Sequence, residues 1–362
     1  MALYASNKLI CYKWLCNAIC PSHLTNAALL PIPTNNEYWQ EIIYLGSVHG
    51  VLPLLYESLK SQHRLDQLPT DVSEALEGFY ELNCLFNNKL REQIINTTRS
   101  LNISGIKPVW LKGAINLLAS NWEKSSRTML DLDLWIPDPE EQLLALEIFY
   151  KNGYYIQPES VNADYDRCQH FAPIIKNGQP ARLEIHRNVV DPECAALLTD
   201  ASALNNTIWI KNNELTYGIL SQNHLIMQSY LQCTEQMSDC LNPRGTARLI
   251  KITDFLQRIN SNEIFKNFFS CHSVLHQKRW KQKARQFTSH LNEYFLINAP
   301  IPLDKSYLRN SLLALNFPKL EIIYHIISHG FYLFLTGKLG SVNTWPSKLK
   351  RQLAFFKNKV NG

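Results

Sequence analysis

Apolar residues recur at three- and four-residue intervals through most of the first hundred positions. The period shortens to two in a central stretch, then lengthens again. Tyr38, Trp39, Ile42 and Ile43, followed by Val48 to Leu59, fit helical faces interrupted at Gly50 and Pro53. From Asp71 to Ser100 a broad apolar face (Leu76, Phe79, Tyr80, Leu82, Leu85, Phe86, Leu90, Ile94) predicts one long helix, with Asp71 as N-cap and Glu74 completing a capping box. Residues 1–100 therefore read as a helical region with no cluster of chemically active side chains.

The period changes after the Ser104-Gly105 turn. The run IKPVWLKG suits a short strand, and Ala114 to Asn121 has helical spacing. In RTMLDLDLW, Arg127 to Trp135, side chains alternate between faces. Leu130, Leu132 and Leu134 share one face, and Asp131 and Asp133 the other, about 7 Å apart. Two like charges on a strand of Leu, Trp and Ile call for a cation or donors between them. Hard carboxylate oxygens suit Mg²⁺ or Mn²⁺. Lys112-Gly113 at a strand-to-helix junction directs free backbone N–H groups and an ammonium toward one spot, which suits a phosphate.

Pro137 and Pro139 close that strand. Glu140 to Asn152 predicts an amphipathic helix ending at Gly153, and Tyr154 to Ile156 a return strand. Cys168 to Ile175, a Lys-Asn-Gly-Gln turn and Ala181 to His186 read as a hairpin. In its second strand Glu184 and His186 face one way, Leu183 and Ile185 the other. From about Asn213 the pattern is helical again, and TARLIKITDFLQRI (Thr246 to Ile259) directs Leu249, Ile252, Phe255, Leu256 and Ile259 inward. The segments HQKRWKQKAR and KLKRQLAFFKNKV are basic and offer contact with an anionic partner.

Composition adds bounds. The 362 residues are 46% apolar and 19% charged with a net charge of +5, a mild excess that accommodates an anionic substrate without requiring nucleic acid. Thirteen Gly argue against a Gly-rich dinucleotide fold. Nine Cys without a C-x-x-C pair read as free thiols in a reducing compartment. The N-terminal MALYASNKLICYKW lacks the apolar core of a signal peptide, and Ile322 to Leu335 is too short to span a bilayer, so a cytoplasmic site of action is expected.

The ordered series LKG, Arg127-x-x-x-Asp131-x-Asp133-Leu134, Gly153-Tyr154, the His170 strand and Leu183-Glu184-Ile185-His186 resembles the uncharacterised nucleotidyltransferase family of the DNA polymerase β-like superfamily. VHGVLPLLYESL and RLIKITDFLQRI look like flanking elements of that family, so the resemblance covers roughly residues 40–260. It implies an α+β fold: a small mixed sheet at 101–212 between helical regions at 1–100 and 213–362. It also implies two metal ions on Asp131, Asp133 and Glu184, and a nucleoside triphosphate whose phosphates lie over Lys112 and Gly113. Arg127 is a phosphate ligand or a brace for the aspartates in this reading, and His170 and His186 are further site residues. Two departures stand out: Ala114 follows Gly113 where the superfamily usually has Gly or Ser, and the third carboxylate is Glu.

Two carboxylate-bound metals can activate an attacking oxygen and neutralise a pyrophosphate leaving group. The expected activity is transfer of a nucleoside monophosphate to a hydroxyl of RNA, protein or a small molecule. A nucleotide- or partner-binding module without turnover, favoured by Ala114, and a two-metal phosphodiesterase are the alternatives.

Overall fold

A computed structural model describes residues 7–25, 27–119, 126–161, 165, 168–212, 215–238, 248–271 and 278–299. The basic tail after Trp345 and the apolar run Ile322 to Leu335 lie outside them.

The N-terminal helices are α1 (Asn7–Ala18), α2 (Asn36–His49), α3 (Leu52–Ser61) and α4 (Thr70–Ile103). Gly50 ends α2 in a left-handed conformation (φ 71°), as a C-terminal glycine does. At 34 residues α4 is about 51 Å long. It begins at Thr70 after Pro69, so Asp71 lies inside the first turn and acts on the helix dipole, with no cap hydrogen bond. Phe79, Leu82 and Leu85, read as inward, are exposed. This half of α4 packs on α3 along a narrower stripe that includes Val72 and Leu76.

The central elements are β1 (Val109–Trp110), α5 (Ala114–Leu118), β2 (Asp131–Trp135), α6 (Pro139–Lys151), β3 (Tyr155–Ile156), β4 (Ile174–Ile175), β5 (Arg182–His186), α7 (Asp200–Asn205), β6 (Ile208–Asn212) and β7 (Leu215–Ile219). Asp138 caps α6 by accepting from Glu140 N, with Pro139 preset for the first turn. The seven strands form one mixed sheet in the order β3-β4-β5-β2-β1-β7-β6. The β6–β7 hairpin extends the sheet past the point where the sequence pattern reads as helix. Its alternation is blurred because β6 is an edge strand with little burial on either face.

Leu132, Leu134, Leu183 and Ile185 are fully or almost fully buried on one face, in a core shared with Leu90, Ile94 and Leu101 of α4 and Phe149 of α6. Each such side chain contributes about 1.5–3 kcal/mol. Leu130 departs from the expected alternation. It is 73% exposed because the strand begins one residue later, at Asp131.

The last helices among the described residues are α8 (Gln222–Ser238), α9 (Leu249–Arg258), α10 (Asn262–Cys271) and α11 (Lys278–Tyr294). The predicted inward stripe of α9 is fully buried at Leu249, Ile252, Phe255, Leu256 and Ile259. It joins the N-terminal helices and Trp135 of β2 in a second core. Within this core Tyr230 is fully buried against Phe255, Phe268 and Phe287, and its hydroxyl has no hydrogen-bond partner among the described residues. Tyr230→Phe should therefore leave stability unchanged or raise it by about 1 kcal/mol. A lowered midpoint in urea unfolding would mean that the hydroxyl is satisfied. Among the described residues no single helix is long and apolar enough to cross a membrane, and Cys11, Cys16 and Cys20 are free thiols.

Candidate active site

Strands β2 and β5 run parallel, with Asp131 opposite Arg182, Asp133 opposite Glu184 and Trp135 opposite His186. Period-two alternation puts all six on the face opposite the leucines. Two short strands separated by about fifty residues thereby merge their polar faces into one patch.

Asp133 lies at its centre and is 3% exposed. Its Oδ1 accepts from the Lys112 ammonium and lies 2.8 Å from His186 Nε2. Burial alone would raise the Asp133 pKa, but the Lys112 charge and the His186 hydrogen bond hold it well below the usual carboxylate range. Glu184, 7% exposed, behaves oppositely. Burial and the neighbouring Asp133 charge push its pKa up to about 7, outweighing the nearby cations. Two adjacent carboxylates are thus driven apart in acidity, Asp133 downward and Glu184 upward.

Asp133, Glu184 and His186 bring ligand atoms within 4.8 Å of one another. His186 is wholly buried, and its Nδ1 has no partner. Burial, then the Lys112 charge, lowers its pKa, which keeps the ring neutral and available as a ligand. Two hard oxygens and a neutral imidazole on converging positions fit a divalent cation. Asp131 is farther out. Its side chain is 37% exposed and its Oδ2 lies 3.1 Å from Arg182, whose Nε is 3.0 Å from Glu184 Oε1. His170 pairs with His186 across an isolated bridge. Its Nδ1 is 2.7 Å from the Phe171 carbonyl and its Nε2 is 3.8 Å from Glu184.

The Lys112-Gly113 junction is held from behind. Lys112 has a left-handed backbone (φ 50°), uncommon for a residue with a side chain. Arg258 of α9 donates to its carbonyl at 3.0 Å and Gln228 of α8 faces its N–H at 3.4 Å. The Lys112 pKa is raised because Asp133 and Glu184 outweigh burial. Gly113 precedes α5, and a Cβ there would lie 2.6 Å from Met129 Sδ and 2.8 Å from Arg127 Cζ. Glycine at this position lets the junction pack against Arg127.

Arg127 reaches neither aspartate. Its Nε and a terminal nitrogen lie 2.9 Å from the carboxylate of Asp254 on α9, and its other terminal nitrogen donates to the Thr128 carbonyl at 2.6 Å. Asp254 and Arg258, on one helix, thus tie the C-terminal helices to both sides of the junction. Sequence reading gave Arg182 no more than a pairing with Glu184, in which Arg187 was the alternative, and missed Asp254, Arg258 and Gln228. The place of Arg182 on this face could have been found, since it shares the parity of Glu184. The others carry no local signal, because their partners lie more than a hundred residues away.

A family model described as "Uncharacterised nucleotidyltransferase" matches residues 35–295. No curated protein and no solved structure matches the chain.

Proposed function

The chain belongs to this nucleotidyltransferase family, and from that premise we propose that it transfers a nucleoside monophosphate from a nucleoside triphosphate to an acceptor hydroxyl, releasing pyrophosphate. The observation that carries this reading is the β2–β5 register, which sets Asp133 beside Glu184 with the Lys112 ammonium against them. Asp133 and Glu184, with Asp131 at the rim and His186 below, would hold Mg²⁺ or Mn²⁺. A divalent ion bound there supplies charge neutralisation for the polyphosphate and acidifies an acceptor hydroxyl.

The chain's own residues account for the rest. Lys112, fixed by its clamped backbone, presents a charge to the phosphates without a large entropic cost on binding. Glu184, set beside Asp133 by the strand register, would take the acceptor proton on a carboxyl oxygen. The new bond joins the acceptor oxygen to the α-phosphorus, and the bond to the bridging oxygen of pyrophosphate breaks. Ala114, which favoured a binding-only module, is buried in the core with Leu90, Trp110 and Leu117. Its missing hydroxyl is therefore explained by packing.

Incubation of the protein with each labelled nucleoside triphosphate, Mg²⁺ or Mn²⁺ and a pool of RNA, protein and small-molecule acceptors tests the reading. Pyrophosphate release that stops in Asp133→Asn is the expected result. Nucleotide binding without release would point to the module, and cleavage of added nucleic acid to a phosphodiesterase.

A further inference from the structure

We propose that Arg182 is a built-in counter-ion of the acid face, displaced when Asp131 and Glu184 take a divalent cation and then free to grip the substrate's polyphosphate. This rests on the nucleotidyl-transfer reading and assigns a role to a residue that neither the motif series nor the family description marks. Arg182 sits two positions before Glu184 on β5, opposite Asp131, so parity and register place its guanidinium between the two carboxylates. It lies 3.1 Å from one and 3.0 Å from the other. Glu184 belongs to the group whose ligand atoms converge, and Asp131 stands at its rim, so a cation on this face competes with the guanidinium for their oxygens. A guanidinium and a doubly charged ion cannot share them at contact distance without strong repulsion.

Besides Arg258, which donates to the Lys112 carbonyl, three basic side chains stand around the junction and the acid face, and they are held differently. Arg127 is locked in a multiply bonded pair with Asp254, and its side chain is 13% exposed. Lys112 is 19% exposed, with its backbone clamped by Arg258. Arg182 is 37% exposed; one terminal nitrogen donates to Asp131 at 3.1 Å, while its Nε, although 3.0 Å from Glu184, makes no hydrogen bond among the described residues. One hydrogen bond and two carboxylate charges hold it, through a long arm at the rim of the patch, against the multiple bonds that lock Arg127. Once released, the same arm offers a planar donor fork that matches phosphate oxygens.

The two halves of this role predict shifts of opposite sign, which loss of structure would not produce. Mn²⁺ alone, titrated against the full chain by the electron paramagnetic resonance signal of the free ion, should bind Arg182→Gln about tenfold more tightly than the parent protein. With Mn²⁺ saturating, α,β-methylene-ATP should bind that variant about tenfold more weakly. Arg182→Lys, which keeps the charge but not the fork, should fall between on both measurements. Weakening of both ligands together, an unchanged Mn²⁺ affinity, or a Mn²⁺ gain without nucleotide loss would each overturn the proposal. The underlying reading fails separately. If neither the parent nor Arg182→Gln binds Mn²⁺ above the Asp133→Asn background, the cation site itself is refuted, and the role of Arg182 with it.

Discussion

Asp133→Asn is expected to lower nucleotidyl transfer by at least about a thousandfold. The substitution removes the carboxylate at the centre of the patch and with it the group that orients both Lys112 and His186. It should also lower stability in metal-free buffer by about 1–3 kcal/mol, because the half-buried Lys112 ammonium loses its hydrogen-bonded partner. Considered along its own strand, Asp133 is repelled by Asp131, and its neutralisation would stabilise. Across the sheet it is paired, and the sign reverses. Pyrophosphate release and urea unfolding check the two halves. Retention of more than a tenth of the activity would remove Asp133 from the site, and a gain in stability would show that repulsion dominates after all.

The second large effect concerns the pair that links α9 to the residues leading into β2. Arg127→Met should cost about 3–5 kcal/mol, since it strands the Asp254 carboxylate, 4% exposed, without its partner. A fall in Tm on the order of 5–10 °C corresponds to this. The double variant Arg127→Met/Asp254→Leu should recover most of the loss, because two apolar side chains replace two desolvated charges. It also separates a brace between α9 and the lead into β2 from a phosphate ligand as the role of Arg127; the expected brace for Asp131 and Asp133 is replaced by its pairing with Asp254. A brace predicts that the recovered double variant binds nucleotide normally, whereas a phosphate ligand predicts normal stability with weakened binding. Failure of the double variant to regain stability would show that the pair's geometry, beyond its mutual charge cancellation, is required.

Much of the site was legible before any tertiary information. Asp131, Asp133, Glu184 and His186 were assigned to polar strand faces by parity alone, and their leucine neighbours are buried as that parity requires. The helical stripe of α9 was equally plain. The reading failed where burial on one face was incomplete or ended early. Leu130 lies just outside its strand, the exposed half of α4 carries apolar residues that face solvent, and β6 has no buried face to print an alternation.

What the sequence determined by itself is therefore the set of faces: which short segments are strands, and which side of each is oily and which is charged. These follow from backbone geometry that repeats every two or 3.6 residues and needs no distant partner. The tertiary structure alone decided which faces meet. Parallel pairing set Glu184 against Asp133 in preference to Asp131, a bridge brought His170 to His186, and α9 claimed Arg127 with Asp254 while Arg258 clamped Lys112. Such choices are made by contacts between residues tens to hundreds of positions apart, where the packing of whole elements selects the partner and no local pattern records it.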